Sequence, residues 1–473
     1  MLHISLVGRK HLSIEIYRQV RDAIVKGTLR PGDRVPASRE LAATLHVSRM
    51  TVTTAYERLS AAGFLVSRVG DGTFVNAHLA RQKPPERREG IGVLTARGQW
   101  ASVTLPTVFD RPASFDFRTG VPDRSLFPDV AWRRLLARAL KASYAAGRPY
   151  GDPAGHADLR AAIARHLGVS RGVAVSPDDV TVTNGTQQAL DIIARILLAP
   201  GDRVAIEDPG YVVAQRLFRA VGARVIGVPV DREGLVVGDM PRNVRAVYVT
   251  PSHQYPLGVS MTLARRRSLL EWAERHDAAI IEDDYDSEFH FNDRPVEPLR
   301  ALDVAGRVIY VGSFSKTLLP TLRLGFLITP PSLRSAARGA KFLSDWHSPT
   351  VLQVALAEFV ESGEFGRHLR RANAVYRERH EIVTSTLGKR FDSVIEAMPS
   401  HTGLHVAGVA RKASVEQIDG VARRAAEEGV AIQILSFSAV GEHALAGIVL
   451  GYGAIATRDI DEGLRRLRKC FRG

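Results

Sequence analysis

The segment Ser313-Phe314-Ser315-Lys316-Thr317 places one lysine between hydroxyl side chains, and Arg323 follows the lysine by seven residues. A lysine amine can form a Schiff base with an aldehyde cofactor, while hydroxyl groups and a guanidinium can hold that cofactor's phosphate. Apolar residues at 308–311 and 318–319 favour a buried lysine over a solvated surface one. Burial also lowers a lysine's pKa, which exchange of its imine requires. The segment therefore predicts a site for pyridoxal 5′-phosphate (PLP) at Lys316.

Short apolar stretches alternate with helical stretches beyond Phe115. The strand-like stretches are 180–183, 203–206, 246–249, 279–281, 308–311 and 324–328. Such an alternation is typical of a mostly parallel sheet that is covered on both faces. The tail after about Ser348 is rich in helical pattern and has one further strand-like stretch at 447–450. We therefore expect an α/β domain over residues 115–473. Its large part would lie at about 145–345 and its smaller C-terminal part at about 350–473.

Polar residues that follow two of these strands are candidates for cofactor binding. Asn184-Gly185-Thr186-Gln187 follows the strand at 180–183 and opens a helix, so free N–H groups and the Thr186 hydroxyl form a cradle for a phosphate. A glycine at a strand-to-helix turn is also common without any ligand. Asp283 and Tyr285 end the strand at 279–281. There a carboxylate can keep a pyridine nitrogen protonated, and a tyrosine hydroxyl can donate to the ring's phenolate oxygen.

The acidic run around Asp283 raises the alternative of a metal site. Its members are Glu282, Asp283, Asp284, Asp286 and Glu288. Adjacent carboxylates point to opposite faces of a strand, and no histidine stands at ligand spacing beside them. We therefore expect no metal site here.

Residues 11–78 have the pattern of a small helical unit. Apolar residues recur at helical spacing from Ile14 to Val25, and Pro31-Gly32-Asp33 breaks this helix. Ser38 is a suitable N-cap for a short helix, and a second helix begins near Ser48. Glycines at 70 and 72 separate two strand-like stretches, which predicts a β-hairpin. Helix, turn, helix and hairpin are the plan of a winged helix-turn-helix.

The second helix of such a unit can enter the major groove of DNA, with the hairpin against the backbone. Its exposed start supplies hydroxyls and a guanidinium, and further candidates lie on the preceding helix and on the hairpin. A lone arginine is usually a solvated surface charge, but these fall on a single edge. The predicted DNA-binding residues are Arg39, Ser48, Arg49, Thr51, Arg68 and Gly72.

The 473-residue chain carries a net charge of +14 at pH 7 and has a sequence pI of about 10.1. This charge favours a polyanionic partner, although an arginine-rich proteome would produce it without one. The single cysteine, Cys470, excludes a disulfide or a thiolate metal cluster within the chain. No secretory signal or membrane-spanning apolar run is visible, so we expect a soluble, cytoplasmic protein. Residues 79–114 have the charged, proline-containing composition of a flexible linker.

Four motifs of the N-terminal unit closely resemble the GntR-type winged helix. They are Pro36-Ala37-Ser38-Arg39-Glu40-Leu41-Ala42, Val47-Ser48-Arg49-Met50-Thr51-Val52, Ala55-Tyr56-Glu57-Arg58-Leu59 and Gly70-Asp71-Gly72-Thr73-Phe74-Val75. Thr53 stands where some members of that superfamily have a base-reading arginine. The rest of the chain resembles a fold-type I aminotransferase domain.

The aminotransferase resemblance adds two residues to the candidate cofactor site. Tyr150, in Tyr150-Gly151-Asp152-Pro153-Ala154-Gly155, matches a tyrosine that reaches the cofactor phosphate of the partner subunit. Tyr211, in Glu207-Asp208-Pro209-Gly210-Tyr211, matches an aromatic residue that stacks on the pyridine ring. Taken alone, these motifs would indicate a packed turn tyrosine and a core tyrosine. The predicted cofactor-binding residues are then Tyr150, Gly185, Thr186, Tyr211, Asp283, Tyr285, Ser313, Ser315, Lys316 and Arg323.

A GntR-type head, a charged linker and an aminotransferase-like body together resemble the MocR family, which includes regulators of the GabR and PdxR types. The resemblance implies a PLP-dependent transcriptional regulator, usually a head-to-tail homodimer, rather than an enzyme. PLP, or an amine that forms an imine with it, would control operator binding or transcription, with vitamin B6 or amino-acid metabolism genes as the candidate targets.

Two departures from aminotransferases favour regulation over catalysis. Tyr255, in Ser252-His253-Gln254-Tyr255-Pro256-Leu257-Gly258, stands where aminotransferases have an asparagine that bonds the ring oxygen. Residues 431–452, where an arginine usually clamps the substrate carboxylate, contain no arginine. The second departure mildly favours PLP itself as the signal. A working aminotransferase with a DNA-binding head is the alternative, and charge alone would also allow a nucleoid or RNA-binding protein.

Overall fold

The computed structural model describes residues 4, 6, 11–68, 70–78, 100, 103, 113–145, 150–291, 297–441 and 444–472. The predicted linker at 79–114 lies outside these residues except at 100, 103, 113 and 114. The chain divides into two compact units, Met1–Leu94 and Thr95–Gly473. Each unit has hydrophobic cores of its own.

Three helices and a hairpin make up the N-terminal unit, as the sequence predicts. The helices are α1 (Leu12–Val25), α2 (Ser38–Thr44) and α3 (Arg49–Ala61), and the strands are β1 (Leu65–Arg68) and β2 (Gly72–Val75). The strands pair antiparallel, with Leu65 opposite Val75. Each helix turns an apolar stripe inward, so that Val20, Leu41 and Leu59 are buried together with the hairpin residues.

The two helix starts that face outward are capped differently. Ser48 is the N-cap of α3, and its hydroxyl oxygen accepts the Thr51 N–H at 3.1 Å. The prediction of Ser38 as an N-cap is wrong. Ser38 is the first residue of α2, and Ala37 occupies the cap in an extended conformation without a side-chain hydrogen bond. The serine stands one residue too late in the chain to reach the first free N–H groups.

Strands and helices alternate through most of the C-terminal unit. Its strands are β3 (Phe115–Asp116), β4 (Val180–Thr183), β5 (Arg203–Asp208), β6 (Arg224–Asp231), β7 (Gly234–Leu235), β8 (Ala246–Val249), β9 (Ala279–Asp284), β10 (Val308–Ser313), β11 (Gly325–Ile328), β12 (Ile395–Ala397), β13 (His405–Ala410), β14 (Val430–Ala431), β15 (Gln433–Ile434) and β16 (Gly447–Gly451). Its helices are α4 (Asp129–Ala145), α5 (Ala157–Arg171), α6 (Thr186–Leu197), α7 (Val212–Ala220), α8 (Leu263–Arg275), α9 (Leu299–Leu302), α10 (Pro331–Asp345), α11 (Thr350–Glu361), α12 (Glu364–Thr386), α13 (Val415–Glu427) and α14 (Ile460–Lys469). Among the helices of the described residues, none is both long enough and apolar enough to cross a membrane.

Eight strands form the central sheet in the order β4-β11-β10-β9-β8-β5-β6-β7. From β10 to β6 all neighbours run parallel, whereas β11 is antiparallel to both of its neighbours and β7 is antiparallel to β6. The predicted α/β fold with a mostly parallel sheet is confirmed. The antiparallel insertion of β11 leaves no local pattern in the sequence, since an apolar strand reads the same in either direction.

Successive side chains of the central strands face opposite sides of the sheet, and helices cover both sides. In β8, Ala246 and Tyr248 pack towards α6, α7 and α10, whereas Val247 and Val249 pack towards α8 and α9. α4, α5 and α11 form a further core at the β4 edge.

A second, antiparallel sheet in the order β12-β13-β16-β15 belongs to the smaller C-terminal part. It packs with α12, α13 and α14 around a core that includes Phe117, Tyr376 and Leu450. β3 joins this part, because Phe115 pairs in parallel with Val430 of β14. The beginning of the body therefore packs with its end. A pairing over so long a separation has no local sequence signal.

Candidate functional site

A cavity of about 770 Å³ opens at the carboxyl ends of the parallel strands. Residues at or just after the ends of β5, β8, β9 and β10 line it, among them Tyr211, Thr250, Asp283 and Ser313. Open α/β sheets bind their ligands at this edge, and the volume suits a cofactor together with a small ligand. Eight of the ten predicted cofactor residues line the cavity. Gly185 and Tyr150 do not.

The start of α6 forms an anion-binding end of this cavity. The helix begins at Thr186, and Gly185 occupies its N-cap with φ 77°, so the first N–H groups of the helix have no helical partner. Arg323, Ser313 and Ser315 line the same cavity. Helix N–H groups, hydroxyls and one guanidinium are the donors that a phosphate needs.

Gly185 lies against the Arg323 side chain, where a larger residue would not fit. A Cβ on Gly185 would stand 2.6 Å from Nη2 of Arg323, closer than real contacts allow. The same Nη2 donates to the Asn184 carbonyl at 2.7 Å. Gly325, at the start of β11, packs against the other side of Gly185. The glycine therefore lets the guanidinium lie across the start of α6.

Asp283 is buried near the end of β9 with one carboxylate oxygen bonded and the other not. The Tyr248 hydroxyl donates to Oδ2 at 2.7 Å, whereas Oδ1 is buried without a hydrogen-bond partner. Burial raises the pKa of Asp283 to about 7. A protonated pyridine nitrogen in the cavity would satisfy Oδ1 and favour the ionised carboxylate, so this acceptor fits the ring of PLP. Sequence reasoning missed Tyr248, which resembles any core tyrosine on a buried strand.

Lys316 lies inside the cavity, and its Nζ donates to the Gly120 carbonyl at 2.8 Å. Burial lowers the pKa of Lys316, while the charges of Asp286 and Asp283 act in the opposite direction and that of Arg323 lowers it further. The lowered pKa makes the unprotonated, nucleophilic amine more available. Sequence reasoning missed Gly120, whose carbonyl comes from a segment far from Lys316 in the chain.

Three tyrosines form one wall of the cavity. Tyr211 packs edge-on to Tyr255 with ring centroids 5.7 Å apart, and Tyr255 packs edge-on to Tyr285 at 6.3 Å. The Tyr255 hydroxyl lies 3.4 Å from Thr119 Oγ1. The Tyr285 hydroxyl donates to the His253 carbonyl at 2.8 Å. A ring oxygen as its predicted acceptor would therefore have to compete with that carbonyl.

Tyr150 lies outside the cavity of its own chain. Its side chain is 61% exposed, and its ring stacks on Trp346 with centroids 4.5 Å apart. Trp346 has a left-handed backbone with φ 66° and follows directly after Asp345. Asp345 in turn accepts from the Asn184 amide at 2.6 Å, beside the anion-binding end. Tyr150 is therefore not a contact of this cavity, and its predicted role at the cofactor phosphate of a partner subunit stays a prediction.

Two histidines meet the acidic run that follows β9. His253 Nδ1 lies 3.0 Å from Oδ2 of Asp286, and the His253 and His405 rings lie 4.3 Å apart. These three residues are buried and bring possible ligand atoms within 4.8 Å of one another. The sequence argument that no histidine stands beside the acidic residues missed them, since His253 comes from the segment after β8 and His405 from the start of β13, both distant in the chain. Hydrogen bonds to Asp286 and to the Pro256 carbonyl account for one nitrogen of each ring without a metal.

Arg216 is a cavity residue that sequence reasoning also missed. It extends from α7, and its guanidinium lies 5.9 Å from the centroid of the Phe437 ring. Both residues line the cavity. Phe437 belongs to the 431–452 region that has no arginine of its own, so α7 supplies a cation there instead.

The N-terminal unit presents most of its predicted DNA-binding residues to solvent. Arg39, Ser48 and Arg49 are exposed at the starts of α2 and α3. Thr51 is half-buried, and its hydroxyl lies 2.8 Å from Ser48 Oγ. The two hydroxyls are thus engaged with each other in the cap of α3, and Arg49 is the freer of the side chains at this helix start.

The hairpin carries Arg68 and Gly72 close together. The Arg68 guanidinium lies over the Phe74 ring at 5.0 Å from its centroid, and Gly72 has φ 122°. A Cβ on Gly72 would stand 3.0 Å from the exposed Arg34 guanidinium. Sequence reasoning missed Arg34, which lies before α2 in the chain and reaches the hairpin only in the fold.

Comparison with known families divides the chain in the same way as its fold. Residues 12–75 match the family model "Bacterial regulatory proteins, gntR family", and residues 121–445 match "Aminotransferase class I and II". The probable rhizopine catabolism regulatory protein MocR of Rhizobium meliloti is 38% identical over 97% of this chain and 93% of its own length. The chain belongs to the MocR family. This family membership makes it an HTH-type transcriptional regulator with an aminotransferase-like domain.

Two other MocR-family relatives match over four fifths of the chain or more. The HTH-type pyridoxine biosynthesis transcriptional regulator PdxR of Corynebacterium glutamicum is 35% identical over 96% of this chain and 95% of its own length. The HTH-type transcriptional regulator TauR of Rhodobacter capsulatus is 36% identical over 80% of each chain.

Solved aminotransferase structures resemble the body of this MocR-family chain. Pyrococcus horikoshii kynurenine aminotransferase superposes with a TM-score of 0.71 at 28% identity, covering 77% of this chain and 92% of its own. The α-aminoadipate aminotransferase LysN of Thermus thermophilus superposes with a TM-score of 0.70 at 30% identity, covering 76% of this chain and 92% of its own. The body of this MocR-family chain therefore has the fold-type I aminotransferase fold.

Proposed function

We propose that the chain is a PLP-dependent, DNA-binding transcriptional regulator that does not turn over substrate as an enzyme. The observation that carries the cofactor part is Asp283 Oδ1, a buried carboxylate oxygen without a hydrogen-bond partner in the cavity that also holds Lys316. An unpaired buried acceptor is costly, and a cationic ring nitrogen would satisfy it. The similarity of the body to PLP-binding aminotransferases supports the same cofactor.

The chain's own residues divide the work of holding PLP between them. The start of α6 with Thr186, Ser313, Ser315 and Arg323 would bind the phosphate. Asp283 would bind the ring nitrogen, Tyr211 would lie against the ring, and Lys316 would hold the cofactor covalently. PLP bound there supplies an aldehyde carbon on which Lys316 and free amines can exchange.

The N-terminal unit would bind an operator in double-stranded DNA. Arg49 at the exposed start of α3 and Arg39 at the start of α2 would contact base edges and phosphates, and Arg68 and Gly72 would contact the backbone beside the hairpin. We propose Arg34 as a further phosphate contact, because its exposed guanidinium lies against Gly72. Residues 11–78 would form the DNA-binding domain, and residues 115–473 the cofactor domain of a cytoplasmic head-to-tail homodimer.

The signal would be PLP itself or an amine that exchanges with Lys316. Residues 431–452 contain no arginine that could bind the carboxylate of an effector. Arg216 of α7 provides a cation on another wall of the cavity. The names of two relatives refer to pyridoxine biosynthesis and to rhizopine catabolism.

A working aminotransferase is the second candidate, and its support is the close superposition of the body on solved aminotransferases. Tyr255 at the asparagine position and the missing arginine clamp favour the regulator.

A pair of single substitutions tests the proposal. Lys316→Ala should abolish the absorbance and the borohydride-trapped adduct of covalently bound PLP and should change transcription from the operator, while affinity for DNA largely survives. Arg49→Ala should weaken operator binding and leave PLP binding intact. Multiple turnovers at ordinary enzyme rates, about 1 per second or more with any amino donor and keto acid, together with no specific operator binding, would establish the aminotransferase instead.

A further inference from the structure

The segment 437–441 of the smaller C-terminal part lies against the start of α7, which belongs to the large part. Oδ1 of Asp208, shortly before that helix, accepts the N–H of Val440 at 2.9 Å. The N–H of Gly210 donates to the Ser438 carbonyl, also at 2.9 Å. Hydrogen bonds to main-chain groups thus join the two parts of the body at this point.

Helix α7 itself adds two hydrogen bonds to the same segment. The Gln215 amide donates to the Ser438 carbonyl at 3.4 Å, and the Arg219 guanidinium donates to the Val440 carbonyl at 3.2 Å. Phe437 directly precedes these bonded residues and lines the cavity, with 51% of its side chain exposed. The bonds to its neighbours therefore fix Phe437 beside α7, although little covers its ring.

One face of α7 lines the cavity along most of the helix. The lining residues of this helix are Val212, Val213, Arg216, Leu217 and Ala220. Their spacing of three and four residues places them on a common face. The helix begins directly after Tyr211, the residue proposed to lie against the ring of PLP. At a rise of about 1.5 Å per residue, the backbone of Arg216 lies about 7 Å along the helix from Tyr211.

Arg216 brings a positive charge to this largely apolar wall. Its guanidinium lies 5.9 Å from the centroid of the Phe437 ring, and Val213 on the same wall is 38% exposed. A guanidinium beside an aromatic ring is shielded from water on one side, which strengthens its hydrogen bonds to an oxyanion. Its planar fork of donors matches the two oxygens of a carboxylate.

Arg216 is the basic residue of the cavity that the proposed PLP contacts do not use. Within the described part of the chain, the lysine and arginine residues that line the cavity are Arg216, Lys316 and Arg323. PLP as proposed uses Lys316 for the covalent bond and Arg323 for the phosphate. A guanidinium carries several N–H donors, so Arg216 can serve a ligand in addition to its contacts within the protein. The cavity thus has a second position for an anion, apart from the start of α6.

We propose that Arg216 and Phe437 form an effector subsite, which takes an amine with a carboxylate or similar oxyanion at the far end of an apolar chain. The oxyanion binds Arg216, the chain packs on Phe437, and the amine exchanges with Lys316 at the aldehyde carbon of PLP. In this exchange the incoming nitrogen takes over the C=N bond, and its two hydrogens pass to the Lys316 nitrogen. The inference rests on the proposed function and narrows its two kinds of signal to the amine.

Titration of the full-length, PLP-loaded protein with matched amines tests the subsite. The probes are unbranched ω-amino acids of increasing chain length, each paired with the alkylamine that has the same number of carbons. The change in the PLP absorbance band on release of Lys316 measures the apparent affinity. At the best chain length the ω-amino acid should bind about tenfold or more tightly than its alkylamine. Arg216→Gln should abolish this preference and leave the affinity for alkylamines unchanged, whereas Arg216→Lys, which keeps the charge, should retain part of it.

Arg219→Gln is the matched control, because it removes a positive charge from the same helix and a bond to Val440 but no residue that lines the cavity. It should leave the preference for the ω-amino acid intact. Loss of the preference in Arg219→Gln as well would assign the effect to loosening of the 437–441 segment and overturn the proposal.

Two further results would contradict the subsite. One is a preference that persists in Arg216→Gln, and the other is an unsubstituted protein that prefers no ω-amino acid at any chain length. If Arg216→Gln fails to fold by circular dichroism, an undiminished preference in Arg216→Lys counts against the proposal and a reduced one supports it. A protein that folds but forms no borohydride-trapped adduct at Lys316 contradicts the proposed function instead, so the two failures are distinguishable.

Discussion

Gly185 must be a glycine for two independent reasons. Its φ of 77° lies in the left-handed region, and its Cα lies against the guanidinium of Arg323. The first reason concerns the backbone alone, whereas the second concerns the anion-binding end of the cavity. The two can be separated, because the chain has another glycine with the first property only.

Replacement of Gly185 by alanine should weaken PLP binding by about tenfold or more, because the new Cβ displaces the Arg323 guanidinium from the phosphate. Gly201→Ala is the control. Gly201 has φ 95° and open space around its Cβ position, so it should share the backbone strain and leave the affinity unchanged. PLP titration followed by fluorescence quenching measures both. Equal losses in the two variants would assign the effect to backbone strain.

Asp283 should make the PLP-free protein less stable as the pH rises. Burial raises its folded pKa to about 7, above the unfolded value, so the folded state favours the protonated carboxyl. The contribution to stability is full below the unfolded pKa and is lost as the pH rises towards 7. As the pH rises from 5 to 8, the free energy of unfolding of Asp283→Asn should therefore increase by about 2 kcal/mol relative to that of the unsubstituted protein. Urea unfolding at both pH values, without PLP, measures this, and a difference that is independent of pH contradicts it.

At the scale of single elements, the start of α3 contains both the helix cap, Ser48, and the residue proposed to contact DNA, Arg49. The Ser48 hydroxyl oxygen accepts the Thr51 N–H, the two hydroxyls bond each other, and Arg49 is exposed. Met50 beside it is 71% exposed, so the first two residues of the helix are accessible. The same helix carries Arg58 in its last turn, also exposed.

Arg49→Ala should weaken operator binding by about 1–3 kcal/mol, whereas Arg58→Ala should change it little, since only the start of α3 would face the groove. Both substitutions remove one positive charge from the same helix, so non-specific attraction falls equally. Gel-shift titrations at two salt concentrations measure the affinities. Equal losses would mean that general charge, and not the helix start, determines binding.

The elements that the sequence predicts best are those with strong local patterns. Two examples are the apolar runs of β5, β8 and β10 and the helix–turn–helix–hairpin order of the N-terminal unit. Both can be recognised from neighbouring residues in the sequence, whatever packs against them. The parts that escaped prediction depend on residues far apart in the chain. Examples are Tyr248 bonding Asp283, the Gly120 carbonyl accepting from Lys316, and His253 reaching Asp286. No periodicity or spacing marks such contacts before the fold is known.

On the scale of the whole molecule, each compact unit contains the residues of one proposed activity. Within the described residues, the core of the N-terminal unit is built from residues of that unit, and the residues that line the cavity follow Leu94. Separate cores allow separate folding.

Residues 1–94, produced alone, should fold as a helical unit with a cooperative thermal transition of modest stability, since small cores bury little apolar surface. Residues 95–473 alone should retain covalent PLP binding. Circular dichroism and absorbance measure the two properties. An unfolded N-terminal fragment, or a body that binds no PLP although the intact chain does, would show that the units depend on each other.

The strand order of the central sheet has a consequence for biosynthesis. β4 lies at the edge of the central sheet and pairs there with β11. Thr183 therefore cannot pair with Gly325 until that later residue has been translated. Lys316 and Arg323 lie between β10 and β11 and arrive on the ribosome just before that event. The turn after β4, with Gly185 and Thr186, meets Arg323 only then. A nascent chain therefore cannot hold a phosphate ligand at this site until the residues up to the end of β11 have been translated.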